Sequence, residues 1–227
     1  MIYRRVQGLL PGWLRRYVLN FEAAIEDAVA EFADALPDCA HVLDAGAGEG
    51  SYRKWFRHQR YVGVDLGIGD AAWNYSGLDT VADLHELPFA ADRFDAVLNV
   101  VTLEHVREPA CVLRELWRVL KPSGRLLLVV PHEWEEHQQP HDYYRYTRYG
   151  LEYLLGGAGF QNIQIQPVGG YFRLLSRRLL NGLQFFPGPL AILAAVFLVP
   201  PALIAPMLDG LDRSLAFTLG FICSASK

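Results

Sequence analysis

The feature that most constrains the fold is the run from His41 to Ser51, which reads HVLDAGAGEGS. A short apolar stretch ends at Asp44, and glycines follow at alternate positions, Gly46, Gly48 and Gly50. Glycine adopts positive φ without cost and lets the backbone approach a ligand closely, and the first turn of a helix offers free N–H groups. The pattern predicts a strand that ends in a tight turn, opens into a helix and binds a nucleotide-type cofactor.

The rest of the chain alternates near-continuous apolar runs with helical patterns. Strands are predicted at 40–45, 61–65, near 83, 94–101, 125–130 and 163–168, and helices at 17–36, 51–58, 109–120 and 147–155. This alternation is typical of an α/β fold in which a mostly parallel sheet is covered on both faces.

Composition limits the classes of partner. The 227 residues carry a formal net charge of −4, which argues against a general nucleic-acid binder because such proteins are basic. The cysteines Cys39, Cys111 and Cys223 are far apart, so no disulfide framework is predicted and a reducing cytoplasmic location is expected. Only a short apolar stretch precedes Pro11, and no signal peptide is predicted there.

The glycine register indicates which cofactor is bound. The dinucleotide fingerprint is G-x-G-x-x-G, whereas here the third glycine comes one residue early, at Gly50, and Ser51 takes its place. Asp44 precedes the turn, and a carboxylate suits an ammonium or sulfonium group better than phosphates, because like charges repel. A nicotinamide-dependent dehydrogenase is therefore the less favoured interpretation.

Five ordered blocks then resemble the class I S-adenosylmethionine-dependent methyltransferases, of the branch called type 11. They are VLDAGAGEG (42–50), VGVD (62–65), ADLHELPF (82–89), FDAVLNVVTLEHV (94–106) and LRELWRVLKPSGRLLLVVP (113–131). The resemblance covers about residues 38–168 and a final strand near 217–225. It implies a Rossmann-like, doubly wound, mostly parallel seven-stranded sheet, with S-adenosylmethionine as the methyl donor.

The resemblance also implies cofactor-binding roles at the matching positions. These are Asp44, Gly46, Gly48, Gly50, Asp65, Leu66, Asp83, Leu84 and Asn99. The glycines and the backbone near them would contact the methionine part, and Asp44 would hold its ammonium group directly or through water. Asp65 would accept hydrogen bonds from the ribose hydroxyls.

Three further roles are implied beyond the second strand. Asp83 would bind the adenine amino group, Leu84 would pack on the adenine ring, and Asn99 would line the site beside the sulfonium. The alternative for each aspartate is a plain role in a turn or a helix cap.

Residues 132–149, HEWEEHQQPHDYYRYTRY, hold three histidines, four acidic residues and five aromatic residues. No helical H-E-x-x-H spacing is present, so no metal site is predicted and a substrate lid is favoured. His141 and Asp142 are the candidate catalytic residues, since either could take a proton from a hydroxyl acceptor. The alternative is a structural salt bridge between Asp142 and Arg145. His105 is expected to pack or cap rather than act in chemistry.

An apolar insertion precedes the last strand, with no charged residue from Leu179 to Leu208. Its apolar run 190–199 is followed by Pro200 and Pro201, which are expected to end a helix, so a simple membrane span is not predicted. Three interpretations stay open: short helices at a membrane surface, a homodimer interface, or a cap over an apolar acceptor pocket. The basic residues that would meet anionic headgroups are Arg173, Arg177 and Arg178.

The sequence predicts an N-terminal helical segment (1–37), a cofactor-binding core (38–170), the hydrophobic helical insertion (171–214) and the final strand of the core (215–227). The expected function is methyl transfer to an O, N or C nucleophile of a small, hydrophobic or lipid-linked acceptor, in the cytoplasm or peripherally on the inner face of a membrane. The alternative is a protein that is not an enzyme: a module that binds the cofactor or attaches to a membrane without catalysing methyl transfer.

Overall fold

A computed structural model describes residues 11–69 and 72–227. The chain divides into two compact units. The smaller unit comprises the described residues up to Ala24 together with Pro167–Gly220, and the larger comprises Ile25–Gln166 with Phe221–Lys227. Within residues 11–69 and 72–227 the α-helices are α1 (Gly12–Val18), α2 (Asn20–Asp34), α3 (Pro109–Val119), α4 (Arg148–Ala158), α5 (Tyr171–Gly182) and α6 (Pro189–Ile204).

A seven-stranded sheet forms the centre of the fold, in the order β3-β2-β1-β4-β5-β7-β6. The strands are β1 (His41–Ala45), β2 (Arg60–Asp65), β3 (Thr80–Val81), β4 (Phe94–Val100), β5 (Leu120–Pro131), β6 (Gln161–Val168) and β7 (Gly220–Ser226). The pairs β1–β2, β1–β4, β2–β3 and β4–β5 are parallel. The prediction of a mostly parallel, doubly wound sheet is confirmed.

The central strands explain why the apolar runs are nearly continuous. Leu43 in β1 and Val97 in β4 are fully buried and pair in register, and the helix α3 contributes Val112, Leu116 and Val119 to the same core. Because β1, β2 and β4 run in the same direction, their carboxyl ends meet at one edge of the sheet. Ligands of open α/β sheets bind at this edge.

The prediction of a helix at 147–155 is confirmed, and its first turn is capped as expected. The Thr147 hydroxyl accepts a hydrogen bond from the Gly150 N–H at 3.1 Å. The predicted end at Leu155 is wrong, because α4 continues to Ala158 and ends at Gly159, whose φ is 101°. A left-handed residue at this position ends a helix at little cost when it is glycine.

The prediction of a helix at 51–58 is wrong. The glycine turn leads only into a single 3₁₀ turn, Arg53–Trp55. Strand β2 already begins at Arg60, so the crossover from the end of β1 is near the lower limit of about 10–12 residues for such a connection. The predicted helix at 17–36 is likewise divided, since α1 ends at Val18 and α2 begins at Asn20.

The expectation that the double proline ends the apolar helix is also wrong. Pro200 and Pro201 lie inside α6, which runs to Ile204. The prolines cannot donate to the carbonyls four residues earlier, which are those of Val196 and Phe197, and both of these residues are exposed. Those carbonyls are therefore not trapped in a packed core, where losing their partners would cost most.

Within the smaller unit, α5 is held to α6 by the Ser176 hydroxyl, which donates to the Ala202 carbonyl at 2.6 Å. Arg177 is buried and pairs with Glu22 at 3.1 Å, and Arg173 pairs with Asp209 at 3.3 Å. Both arginines therefore form ion pairs inside the unit, and Arg177 is too buried to face lipid headgroups, whereas this role of Arg173 stays a prediction.

The segment Pro189–Leu211 has 23 residues, and its mean hydropathy is 2.3 over a window of 18 residues. By length and composition alone it could cross a membrane. Much of its apolar surface is exposed, including Ile192 (72% exposed), Phe197 (69%) and Met207 (77%). Contiguous exposed apolar surface usually marks a site of interaction with a protein, a membrane or a ligand.

Candidate cofactor site

The glycine turn after β1 takes a shape that side chains would prevent. Gly46, Gly48 and Gly50 have φ of 90°, 53° and 72°. A Cβ atom at Gly46 would lie 2.3 Å from Cγ2 of Thr102, and the N–H groups of Gly46 and its neighbour both donate to the Val64 carbonyl. The turn is therefore fixed against the ends of β2 and β4, in a conformation that glycine adopts without strain.

Asp65 lies at the end of β2, where the sequence predicted it, and joins that strand to the turn. Its Oδ2 accepts a hydrogen bond from the Gly48 N–H at 2.9 Å, and its Oδ1 accepts one from the Gly67 N–H at 2.8 Å. Each carboxylate oxygen can accept a further bond. The position suits the ribose role, which stays a prediction.

Asp44 is a buried acid with one unsatisfied oxygen. Tyr61 donates a hydrogen bond to Oδ2, whereas Oδ1 has no hydrogen-bond partner within residues 11–69 and 72–227. Burial raises the pKa of Asp44 to about 7, because it outweighs the opposing effect of the Tyr61 hydrogen bond and is reinforced by the nearby charge of Asp65. An unsatisfied buried acceptor beside a ligand-binding turn implies a donor that arrives with the ligand.

Asn99 presents a second unsatisfied oxygen on the neighbouring strand. It is fully buried in β4, and its amide nitrogen donates to the Ala45 carbonyl at 2.7 Å. Its Oδ1 has no partner in the described part of the chain. The α-ammonium of S-adenosylmethionine would supply the N–H donors that the oxygens of Asp44 and Asn99 lack. The residues present therefore fit this cofactor.

The remaining predicted cofactor residues lie in less distinctive surroundings. Asp83 follows β3, and its Oδ1 accepts from the His85 N–H at 2.9 Å and contacts the ring Nδ1 at 2.6 Å. Leu84 is buried in the main core, whereas Leu66 is 42% exposed. The adenine contacts of Asp83 and Leu84 stay predictions.

The candidate catalytic pair is tied into its own loop. Arg145 donates to both oxygens of Asp142, at 2.6 and 2.8 Å, and the His137 N–H donates at 2.8 Å. Burial alone would raise the pKa of Asp142, but these hydrogen bonds outweigh it and lower the pKa to about 2. His141 faces the Tyr143 hydroxyl at 3.1 Å. The salt-bridge alternative is thus present, and with so low a pKa Asp142 is a weak base near neutral pH.

The structure also assembles a group of residues that the sequence patterns did not connect. Glu104, His105 and His137 bring one ligand atom each to within 4.8 Å of one another. Glu104 is fully buried, and burial raises its pKa to about 8. His105 and His137 are separated by 32 positions, so no local sequence motif predicts this group of three residues. The cluster of histidines after β5 is the sequence feature that could have indicated it.

Comparisons with known proteins agree with this geometry. Residues 43–128 match the family model described as a methyltransferase domain. The demethylmenaquinone methyltransferase of Roseiflexus castenholzii is 32% identical over 103 residues, which are 40% of this chain and 42% of that protein. The chain thus spans less than half the length of this relative.

Two solved structures share the fold. A SAM-dependent methyltransferase from Archaeoglobus fulgidus has a TM-score of 0.59 at 15% identity, covering 90% of this chain and 94% of that one. The phosphoethanolamine N-methyltransferase 2 of Haemonchus contortus, in complex with S-adenosyl-L-methionine, has a TM-score of 0.58 at 17% identity, covering 89% and 52%.

The glycine turn and the acids at the ends of β1 and β2 lie within the region that the family model matches. The solved structures extend the same architecture over most of the chain. Residues 43–128 therefore resemble a methyltransferase domain, and most of the chain has the fold of the solved S-adenosylmethionine-dependent methyltransferases.

Proposed function

We propose that this protein transfers a methyl group from S-adenosylmethionine to an O, N or C nucleophile of a small, hydrophobic or lipid-linked acceptor. The observation that carries the donor assignment is the pair of unsatisfied buried oxygens, Oδ1 of Asp44 and Oδ1 of Asn99, beside the glycine turn. Two unsatisfied acceptors on the neighbouring strands β1 and β4 suit a cationic ammonium group and do not suit the phosphates of a dinucleotide.

Bound S-adenosylmethionine would supply an electrophilic methyl carbon on a sulfonium centre. The residues of the chain contribute binding and alignment, which can provide much of the rate enhancement of a displacement reaction. Asp44 and Asn99 would hold the ammonium group, Asp65 would hold the ribose, and the glycines would let the backbone approach. No catalytic base is required by this arrangement when the acceptor is already nucleophilic.

The exposed apolar surface of α6 supports the acceptor class. Residues such as Ile192 and Phe197 are more than two-thirds exposed, which suits contact with a membrane or with an apolar acceptor. The Roseiflexus castenholzii relative is named for a demethylmenaquinone acceptor, and a quinone is likewise a small organic acceptor. A membrane-surface location on the cytoplasmic side is part of this proposal, and a homodimer interface on α6 is its alternative.

The proposal is tested first by titrating the full-length protein with S-adenosylmethionine and, separately, with NAD⁺ in a calorimeter. We expect saturable binding of S-adenosylmethionine only. Binding of NAD⁺ alone would contradict the donor assignment and favour the dehydrogenase.

Turnover is tested with methyl-labelled S-adenosylmethionine and a lipid extract, followed by separation of apolar and aqueous products. Label in the apolar fraction supports the acceptor class, and label confined to water-soluble products contradicts it. Tight cofactor binding with no label transferred to either fraction would favour the non-catalytic module.

A further inference from the structure

Three side chains near the end of β4 are spaced like the ligands of a metal ion. The Nε2 atoms of His105 and His137 are 3.1 Å apart, and they lie 3.6 and 3.8 Å from Oε1 of Glu104. Around a tetrahedral zinc ion with bonds of about 2.0–2.2 Å, neighbouring ligand atoms lie about 3.3–3.6 Å apart. The three separations are therefore within a few tenths of an ångström of this spacing.

The hydrogen bonds of the two rings fix which nitrogens face each other. Nδ1 of His105 lies 2.6 Å from the His141 carbonyl, and Nδ1 of His137 lies 3.1 Å from the Glu135 carbonyl. A carbonyl can only accept, so in each neutral ring Nδ1 carries the proton and Nε2 presents a lone pair. Two lone pairs at 3.1 Å repel unless a cation lies between them.

Glu104 provides an independent observation. Its carboxylate is fully buried, and neither oxygen has a hydrogen-bond partner among the residues that the structure describes. A buried carboxyl group without a hydrogen-bond partner is either kept neutral by protonation or, when charged, pairs with a cation or coordinates a metal. The nearby guanidinium of Arg145 is already engaged by Asp142, so it does not satisfy these oxygens by hydrogen bonding.

Asp142 lies behind both rings in a supporting position. Its oxygens are 4.0 Å from Nδ1 of His105 and 3.5 Å from Nδ1 of His137. Histidines that bind a metal usually direct the other ring nitrogen at a carboxylate or a backbone carbonyl, which orients the ring and increases its basicity. Here the carbonyls of His141 and Glu135 are those partners, and the Asp142 carboxylate lies just beyond hydrogen-bond distance, where its charge favours a bound cation.

We propose that Glu104, His105 and His137 bind a divalent transition-metal ion of the Zn²⁺ class. Two histidines and one carboxylate are a common ligand set for zinc, with a further position open to water or substrate. Since Thr102 packs against Gly46 only two residues before Glu104, a metal held by Glu104 would be close to the cofactor turn along the chain. If the proposed methyl transfer holds, that open position is suited to an acceptor hydroxyl, whose pKa a metal lowers.

The test uses untagged full-length protein stripped with a chelator and titrated with Zn²⁺ against a chromophoric competitor. We expect one Zn²⁺ per chain, measured after gel filtration. Asp142→Asn removes a supporting group and should weaken Zn²⁺ binding roughly 10- to 100-fold. Glu104→Gln and His137→Gln each remove a proposed ligand, so each should weaken Zn²⁺ binding by more than this. His58→Gln, which alters an exposed histidine elsewhere, should bind like the wild type.

Thermal melting curves recorded with and without Zn²⁺ test the metal site without requiring methyl transfer activity. Zn²⁺ should raise the Tm of the wild type and of His58→Gln, but not that of His137→Gln, whose loop position is only partly buried. Substoichiometric Zn²⁺, or equal affinity in the wild type and both ligand variants, would overturn the proposal. An X-ray absorption spectrum of the bound zinc that lacks the signal of two imidazole ligands would also overturn the proposal.

Discussion

At the scale of single residues, the burial of Asp44 links cofactor affinity to pH. Its pKa is raised to about 7 by burial, and the groups that face it are Tyr61, Asp65 and Arg53. Below this value the carboxyl is protonated and pairs poorly with an ammonium group, whereas above it the charged form prevails. Affinity for S-adenosylmethionine should therefore increase as the pH rises through 7.

The size of the expected change in Kd follows from the ionised fraction of Asp44. A group with a pKa near 7 is about a tenth ionised at pH 6 and about half ionised at pH 7, so the Kd should fall roughly fivefold between these values. Calorimetric titrations at pH 6, 6.5 and 7 measure the change, since the α-ammonium of the cofactor is still charged in this range. Asp44→Asn should bind more weakly with a flat profile, and a wild type that matches this variant in both affinity and profile would rule out the ammonium contact.

Asp65 is expected to contribute to affinity both directly and through the turn. Asp65→Ala should weaken S-adenosylmethionine binding by about 2 kcal/mol, since it leaves ribose hydroxyls and two backbone N–H groups without an acceptor. Asp65→Asn keeps the size and part of the accepting capacity, so its loss should be smaller. The control Glu152→Ala removes an exposed acid on α4; if it weakens binding as much as Asp65→Ala, the ribose role is wrong.

At the scale of elements, the first turn of α4 depends on one hydroxyl. Thr147→Ala removes the acceptor for the Gly150 N–H and should lower the free energy of unfolding by about 1 kcal/mol. Thr147→Ser keeps the hydroxyl and should cost much less. Urea denaturation of the two variants provides the comparison, and equal losses would show that the methyl group, not the cap, stabilises the turn.

The parallel sheet could be predicted from the sequence because each strand carries its own signal. The runs around Leu43, Val64 and Val97 are apolar because both faces of these strands are covered, which is a local property. The absence of a helix after the glycine turn could not be predicted in the same way. It depends on how early β2 begins, at Arg60, and residues 51–58 alone contain nothing that forbids a helix.

Helix α6 shows a second limit of local rules. Two prolines lower the intrinsic stability of any helix, yet α6 continues through Pro200 and Pro201. The contact between the Ser176 hydroxyl and the Ala202 carbonyl lies directly after the prolines and involves a residue of α5. Such tertiary support is invisible in the apolar run itself.

The candidate site was likewise only partly predictable. The positions of Asp44 and Asp65 follow from the strand ends, which the glycine motif marks. The approach of His137 to His105 does not, because it depends on the loop after β5 folding back until the Tyr143 N–H bonds the Glu104 carbonyl at 2.9 Å. No spacing rule connects residues that meet through such a loop.

At the scale of the whole molecule, the exposed face of α6 should determine where the protein resides. We expect the full chain to co-sediment with anionic phospholipid vesicles. The double variant Ile192→Ser/Phe197→Ser should lose roughly 3 kcal/mol of binding, since burying each large apolar side chain contributes about 1.5–3 kcal/mol. The matched control Tyr153→Ser changes an exposed aromatic residue on α4 and should bind vesicles like the wild type.

The same experiment separates the alternatives for this surface. A wild type that remains in the supernatant with vesicles and sediments as a dimer in the ultracentrifuge would assign α6 to a subunit interface. Equal vesicle binding by the double variant and the wild type would place the lipid contact elsewhere on the chain.

The stretch from Asn99 to His105 connects the two sites within seven consecutive residues. Asn99 lies beside the cofactor turn, Thr102 packs on Gly46, and His105 belongs to the proposed metal ligands. Linkage requires that any factor by which one ligand changes the affinity for the other is reciprocated. A Zn²⁺ titration in the presence and absence of S-adenosylmethionine would therefore measure the same coupling free energy as a cofactor titration with and without Zn²⁺.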